Sequence, residues 1–251
     1  MKTRAAFTLV ELLVVIVIIA ILTSIAMPVY SRARLSAWRA VSAHTLTELG
    51  IGGAAYRADN DGQFWPYRQN EPDGVTWWFG FESSSSPPNG EGQRTLDLLR
   101  GPLGPYAIAS GGVKSDPAFM SFGGRFKPKF SNGSYGYGYN TLLGGGPMGL
   151  GTLARAAQFE HPENLVVFAT CAQVNTFQAP ASAKNPMVEE FYLINHQETT
   201  VHFRFGRKAL VSMLDGSVQE MPMDPSTLDQ RMPSARIGRF APVGSKLYLW
   251  Q

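Results

Sequence analysis

The sequence predicts an α+β fold, in which a long N-terminal helix packs on an antiparallel β-sheet head with long loops. The first observation is an apolar run from Leu12 to Val29, interrupted only by Thr23 and Ser24, that continues into a segment with helical periodicity. The second is a series of short apolar runs further along the chain, separated by clusters of glycine, proline and serine. A helix that precedes a set of antiparallel strands indicates the α+β class.

The N-terminal apolar segment is long enough to cross a bilayer. A helix over residues 7–29 would extend about 34 Å, compared with about 30 Å for the hydrocarbon core of a membrane. Three interpretations compete: a membrane anchor, a secretory signal peptide cut after Ser24-Ile25-Ala26, and a buried helix of a soluble core. The basic residues Lys2 and Arg4 ahead of the run disfavour the third.

Glu11 is the unusual residue of this segment. A carboxylate in hydrocarbon costs about 2.5 to 3.5 kcal/mol near the bilayer centre, so a disposable signal peptide has no reason to carry one. Thr8-x-x-Glu11 matches a capping box, which explains how a helix begins at this point. A positively charged partner would also explain why the charge is tolerated in lipid.

The stretch Ala6-Phe7-Thr8-Leu9-Val10-Glu11-Leu12-Leu13 resembles the processing site of type IV prepilins and type II secretion pseudopilins. The resemblance implies cleavage between Ala6 and Phe7, methylation of the new amino group, and pairing of Glu11 with the amine of a neighbouring subunit. Pro28 falls where many pilins have a proline that kinks or melts the helix. Ala6 departs from the glycine that usually precedes the cut.

This resemblance also implies an organisation and a set of partners. Residues 1–6 would be a leader, 7–29 a transmembrane helix, 30–58 an amphipathic helix and 59–251 a pseudopilin-like head. The expected partners are other pilin or pseudopilin subunits, the prepilin peptidase and methylase, an inner-membrane assembly platform and the lipid bilayer. The head would lie in the periplasm or at the cell surface. Two alternatives stay open: a secreted binding module that begins at Met27, and an uncleaved single-pass anchor.

The segment after Pro28 shows the stripe of an amphipathic helix. Its apolar members are spaced to share one face, with small residues at Ser42 and Gly53 filling the same stripe: Leu35, Trp38, Leu46, Leu49 and Tyr56. Gly50, Gly52 and Gly53 weaken a helix by about 1 kcal/mol each relative to alanine, so a close backbone contact is needed if the helix continues past them.

The turn Asp59-Asn60-Asp61-Gly62 is expected to end the helix. It resembles a turn found at this place in large pseudopilin-like proteins of planctomycetes and verrucomicrobia. Calcium in the head is a possibility that the pattern does not support, because the acidic spacing and closing glutamate of an EF-hand are absent. We therefore expect Asp59, Asp61 and Gly62 to be structural turn residues and the protein to need no cofactor.

Strands are expected at residues 164–170, 190–194, 209–214 and 217–221. The last two are joined by Asp215-Gly216, a strong hairpin signal. The same large pseudopilin-like proteins often carry His, nine residues, then Asp-Gly. Here the histidine position is Phe205, while His202 is separated from Asp215 by twelve residues, so Asp215 and Gly216 are expected to act as structural residues only.

Nothing in the sequence predicts an enzyme, a metal site or a nucleic-acid partner. Cys171 could pair with His161, His196 or His202, but a lone cysteine after an apolar run is more often buried. Gly144-x-Gly146-x-x-Gly149 matches a dinucleotide motif by letter, without a surrounding βαβ unit. The formal charge is only +3 and the bases are scattered; the run Phe203–Lys208 is expected to be a solvated turn.

Overall fold

The structure is a computed structural model that describes residues 8–85, 90, 92–108, 115–119, 125–133 and 136–240. One α-helix, α1, spans Leu9–Asp59 and is followed by thirteen short strands in the described part of the chain. In chain order the strands are β1 (Arg68–Glu71), β2 (Gly74–Trp77), β3 (Gly80–Ser83), β4 (Phe126–Lys127), β5 (Tyr137–Asn140), β6 (Val166–Thr170), β7 (Gln173–Asn175), β8 (Met187–Glu189), β9 (Leu193–Ile194), β10 (Val201–His202), β11 (Lys208–Met213), β12 (Val218–Pro222) and β13 (Ile237–Gly238).

Helix α1 is a single element that passes through Pro28 and all three glycines. Gly52 and Gly53 lie where the head comes closest to the helix backbone: a Cβ on Gly52 would meet Ala107 Cβ at 2.6 Å, and one on Gly53 would meet the Trp65 ring at 2.7 Å. The close approach explains why these helix-weakening residues are present, since any larger side chain would push the head away.

The main sheet has five strands in the order β12-β11-β6-β5-β9. Helix α1 packs on it through Leu46 and Leu49, whose side chains are fully buried. The centre of this core is aromatic: the Trp65 ring stacks on Tyr139 with centroids 4.8 Å apart and on Phe168 at 5.7 Å. The α+β class and the long helix packed on a sheet head are thus confirmed.

The smaller sheets are β1-β2-β3, β4-β8-β7 and the pair β10-β13. Two pairings, β5 with β9 and β4 with β8, are parallel, so the head is mixed rather than purely antiparallel as predicted. The strand expected at residues 190–194 is shorter than predicted, with only Leu193–Ile194 paired. Glu190, the first residue of the predicted strand, lies instead where the chain crosses from one sheet to another. Its carboxylate accepts hydrogen bonds from the backbone N–H groups of Lys129 and Phe130.

The hairpin predicted at Asp215-Gly216 is present between β11 and β12, in antiparallel register from Lys208 opposite Pro222 to Ser212 opposite Val218. Gly216 has φ +89°, a value that glycine adopts without strain. The Asp215 carboxylate accepts the backbone N–H of Ser217 at 2.8 Å and so closes the turn.

Candidate assembly site

The first turn of α1 is closed by a reciprocal cap. Glu11 N–H donates to Thr8 Oγ1 at 3.2 Å, while the backbone N–H and the hydroxyl of Thr8 donate to Glu11 Oε2 at 2.8 and 2.7 Å. The capping box that the sequence indicates is therefore formed. Oε1 of Glu11 makes no hydrogen bond to any described residue, so the carboxylate keeps room to accept a further donor.

The helix beyond this cap carries a continuous apolar surface that the head does not cover. Every large apolar side chain from Leu9 to Val29 is between 44% and 79% exposed. A segment of this helix has the length and mean hydropathy of a membrane span. A water-exposed surface of this size is unfavourable, since burying each such side chain contributes about 1.5 to 3 kcal/mol. Such a surface is suited to contact with a bilayer, with other helices, or with both.

The cleavage position predicted from the sequence, Ala6 and Phe7, lies outside the described residues. Pro28 lies inside α1, where its missing N–H leaves out one helical hydrogen bond without ending the helix. On either side of Pro28, the hydroxyl of Ser24 donates to the Ile21 carbonyl at 2.7 Å, and the hydroxyl of Ser31 donates to the Met27 carbonyl at 2.9 Å.

A buried polar cluster, which the sequence did not reveal, attaches α1 to the head. Asp116 is fully buried and accepts hydrogen bonds from Ser42 Oγ on α1 at 2.7 Å and from the backbone N–H of Ala118 at 2.9 Å. The guanidinium of Arg204 lies 3.4 Å from the same carboxylate and also donates to the carbonyl of Gly136 at 2.6 Å. We call Ser42, Asp116 and Arg204 the helix–head clamp.

A second buried ion pair lies within the head. Lys127 Nζ is 2.5 Å from Glu189 Oε1, with the two side chains 2% and 0% exposed. Burial alone would raise the pKa of Glu189, but Lys129, Lys127 and a hydrogen bond from Asn175 together hold this pKa below its usual value. The pair joins β4 to β8, strands that are far apart in the sequence.

The turn after α1 is held mainly by backbone contacts. Gly62 N–H donates to the Arg57 carbonyl at 2.8 Å, and Asp61 and Gly62 have φ values of +51° and +74°. The carbonyl of Asp61 accepts a hydrogen bond from Arg155 at 2.8 Å, and the carboxylate of Asp59 accepts one from the Tyr106 hydroxyl at 3.1 Å. These contacts are those of a turn packed against the head.

Of the residues considered for catalysis, Cys171 and His202 lie in the interior, whereas His161 is exposed and His196 is half-buried. Cys171 is fully buried, its thiol donates to the Leu193 carbonyl at 3.2 Å, and burial raises the pKa of that thiol. His202 is fully buried in β10, where burial and then Arg204 lower the pKa of its imidazole. A buried neutral thiol and imidazole are not poised for nucleophilic chemistry.

The run Phe203–Lys208 is only partly the solvated turn that was predicted. Phe203, Arg204 and Phe205 are buried, since the two rings join the core and Arg204 joins the clamp, while the three residues that follow are exposed. Among the described residues, no group of three or more His, Cys, Asp or Glu side chains is placed to hold a metal ion.

Comparison with known proteins gives one result, and it concerns the N-terminal segment. Residues 1–27 match the family model described as the prokaryotic N-terminal methylation motif. Comparison with curated proteins gave no match, and comparison with solved structures gave none. The apolar helix and this motif fit a membrane-anchored protein. The methylation motif, the long N-terminal helix and the α+β head together support a resemblance to type IV prepilins and pseudopilins.

Proposed function

We propose that this chain is a structural subunit of a type IV pilus-like or type II secretion filament. It is cleaved before Phe7, methylated on the new amino group, and held in the inner membrane by residues 7–29 until it joins the filament. The head lies outside the cytoplasm. Its partners are other pilin or pseudopilin subunits, the prepilin peptidase and methylase, and the inner-membrane assembly platform. Its role is assembly rather than catalysis.

The observation that carries this proposal is the uncovered apolar surface of α1 together with the methylation motif at its start. Because α1 is continuous from Leu9 to Asp59, the segment that would enter the membrane or the filament is joined rigidly to the segment that packs on the head. Neighbouring helices in lipid gain contact energy mainly from close van der Waals packing, which does not by itself define how far one helix slides along the next. A charged group among apolar residues can define this axial position of one helix relative to the next.

Glu11 is the group that we assign to this role. Its Oε2 is committed to the capping box, and Oε1 is open to an amine from a neighbouring subunit, so the cap and an intersubunit ion pair are compatible. Losing one partner of a buried pair costs about 3 to 5 kcal/mol, enough to favour one alignment of subunits over others.

The first test is the N-terminal residue of the native protein, determined by mass spectrometry of membrane and soluble fractions. We expect a mature chain that begins with N-methylated Phe7 in the membrane fraction. A soluble protein beginning at Met27 would instead identify a cleaved signal peptide, and an intact Met1 would identify an uncleaved anchor; either result rejects the processing step.

The second test separates the two roles of Glu11. Glu11→Gln keeps a side chain that can complete the capping box but removes the charge, whereas Thr8→Ala removes the capping hydroxyl and keeps the charge at a cost of about 1 kcal/mol. We expect Glu11→Ala and Glu11→Gln to insert in the membrane and to lose incorporation into sheared filaments or intersubunit crosslinks. Thr8→Ala should assemble nearly as well as the wild type. Normal assembly of Glu11→Gln would show that the charge has no role.

A further inference from the structure

A surface groove lies where the head meets α1 just beyond its apolar segment. Its volume is about 370 Å³. The helix contributes Arg32, Leu35 and Arg39, and the head contributes Phe205, Lys208 and Glu220. We call these six residues the juxtamembrane groove.

The groove has an excess of positive charge that is held in place. Glu220 pairs with Arg39 and with Lys208, the latter at 3.1 Å, so one carboxylate positions two cations. Arg32 lines the same groove and has no acidic partner among the described residues. A phosphate group is a suitable ligand for such a site, because guanidinium groups bind its oxygens in a forked geometry and an ammonium group adds a point charge.

The distance from the apolar segment places the groove at the membrane surface. The helix rises about 1.5 Å per residue, so Arg32 lies about 4.5 Å beyond Val29 along the axis. The headgroup layer on each side of a bilayer is about 5 to 8 Å thick, so Arg32 falls within it, while Arg39, about 15 Å beyond Val29, lies above it. The Arg34 guanidinium lies 4.5 Å from the Trp38 ring and 5.9 Å from Tyr30, an arrangement of aromatic and basic side chains that suits this interface.

The groove also has an apolar side chain that a ligand can cover. Leu35 is 37% exposed and offers carbon surface beside the charged groups, whereas Phe205 lines the groove but is only 4% exposed. A free phosphate ion would leave this surface unused, whereas the glycerol and first acyl carbons of a phospholipid would cover it.

We propose that the juxtamembrane groove binds the headgroup of an anionic phospholipid, such as phosphatidylglycerol, from the membrane that holds α1. Arg32 and Lys208 contact the phosphate, Glu220 holds Lys208 and Arg39 in position, and Leu35 packs against the carbons beside it. Binding at this point fixes the height and tilt of the head above the bilayer. The proposal requires a membrane anchor but no filament, so filament assembly and N-terminal processing test the proposed function independently.

The test uses the full chain, purified in a neutral detergent and examined by native mass spectrometry with added phosphatidylglycerol or phosphatidylcholine. We compare the wild type with the double variant Arg32→Gln/Lys208→Gln. The control is Arg125→Gln/Lys184→Gln, which removes the same two kinds of charge from exposed positions outside the groove. We expect the wild type to retain phosphatidylglycerol over phosphatidylcholine by roughly 10- to 30-fold, a preference that the groove variant loses and the control keeps.

Three results would overturn the proposal: equal retention of the two lipids by the wild type, an unchanged preference in the groove variant, or an equal loss in the control. Inorganic phosphate added to the lipid-bound protein tests whether the groove is instead a site for a free phosphate ion. Displacement of the lipid by low millimolar phosphate would identify a free-anion site and reject the lipid. Arg32→Gln alone, which alters only an exposed helical residue, gives a reduced preference even if the double variant is poorly folded.

Discussion

Asp116→Asn tests how firmly the head is attached to α1, because it removes the charge at the centre of the helix–head clamp while keeping the shape of the side chain. In the structure this carboxylate accepts the Ser42 hydroxyl from the helix and lies against the guanidinium of Arg204, whose side chain is only 3% exposed. The substitution leaves Arg204 buried without a counter-charge. That penalty, rather than the lost attraction itself, dominates the effect.

The expected loss in the free energy of unfolding is about 3 to 5 kcal/mol, the usual cost of removing one partner from a buried pair. For a domain of this size each kcal/mol lowers the unfolding midpoint by about 2 to 4 °C, so the shift should be roughly 6 to 20 °C. The assay is thermal unfolding of the full chain in detergent micelles, followed by near-ultraviolet circular dichroism of the aromatic core.

Asp73→Asn is the matched control, since Asp73 is 63% exposed and forms an exposed ion pair with Arg100 at 3.3 Å. Exposed pairs contribute at most about 1 kcal/mol, so the midpoint should fall by less than about 4 °C. If Asp116→Asn shifts the midpoint no more than this control, the clamp does not hold the head and the reasoning fails.

Three further predictions concern the packing of the head. Gly52→Ala should destabilise the protein by about 1 to 3 kcal/mol despite the higher helix propensity of alanine, because the new Cβ meets the Ala107 Cβ at 2.6 Å. Gly50→Ala, whose Cβ would meet only the Ser212 hydroxyl at 3.1 Å, should cost clearly less in the same thermal unfolding assay; equal costs would contradict the close-approach argument. Lys127→Met should lower the free energy of unfolding by about 3 kcal/mol, since Glu189 would lose its nearest counter-charge, with Lys129 left at 3.7 Å. Glu189 should also make stability depend on acid pH: its folded pKa is lowered, so its contribution is present above the unfolded pKa of about 4.5 and is lost as the pH falls through the folded value. Urea unfolding at pH 6 and pH 3 should show a smaller pH dependence in Glu189→Gln than in the wild type, and an equal dependence would exclude this carboxylate as the cause.

The features that could be predicted from the sequence are those defined by residues close together in the chain. The capping box needs only Thr8 and Glu11, three residues apart, and the hairpin needs only the pair Asp215-Gly216 between two apolar runs. The stripe on α1 followed from helical spacing, and the structure buries its centre at Ser42, Leu46 and Leu49. In each case the local geometry leaves few alternatives.

The features that could not be predicted depend on residues that the fold brings together from a distance. Ser42 and Asp116 are 74 residues apart and Lys127 and Glu189 are 62 apart, and no local pattern distinguishes these polar groups from surface ones. The same limit applies to the two parallel pairings, because hydrophobic alternation indicates a strand but not its neighbours. The sequence shows that the glycines of α1 weaken the helix. It does not show why they are there, because their contacts with Ala107 and Trp65 form only in the tertiary structure.

The continuity of α1 has a consequence for how the head faces its surroundings. Residues 12–31 are exposed, so this stretch of helix connects the Glu11 carboxylate to the part of α1, from Arg32 onward, that lies beside the head. Each residue in a helix adds about 100° of rotation and about 1.5 Å of height. Inserting one residue there would turn the head by more than a quarter of a revolution and barely raise it. Inserting seven would restore its azimuth to within about 20° and raise it by about 10 Å. The number of residues between Glu11 and Ser42 therefore fixes the rotation of the head about the helix axis relative to Glu11. That rotation determines which side of the head faces a neighbour bound to the first turn of α1.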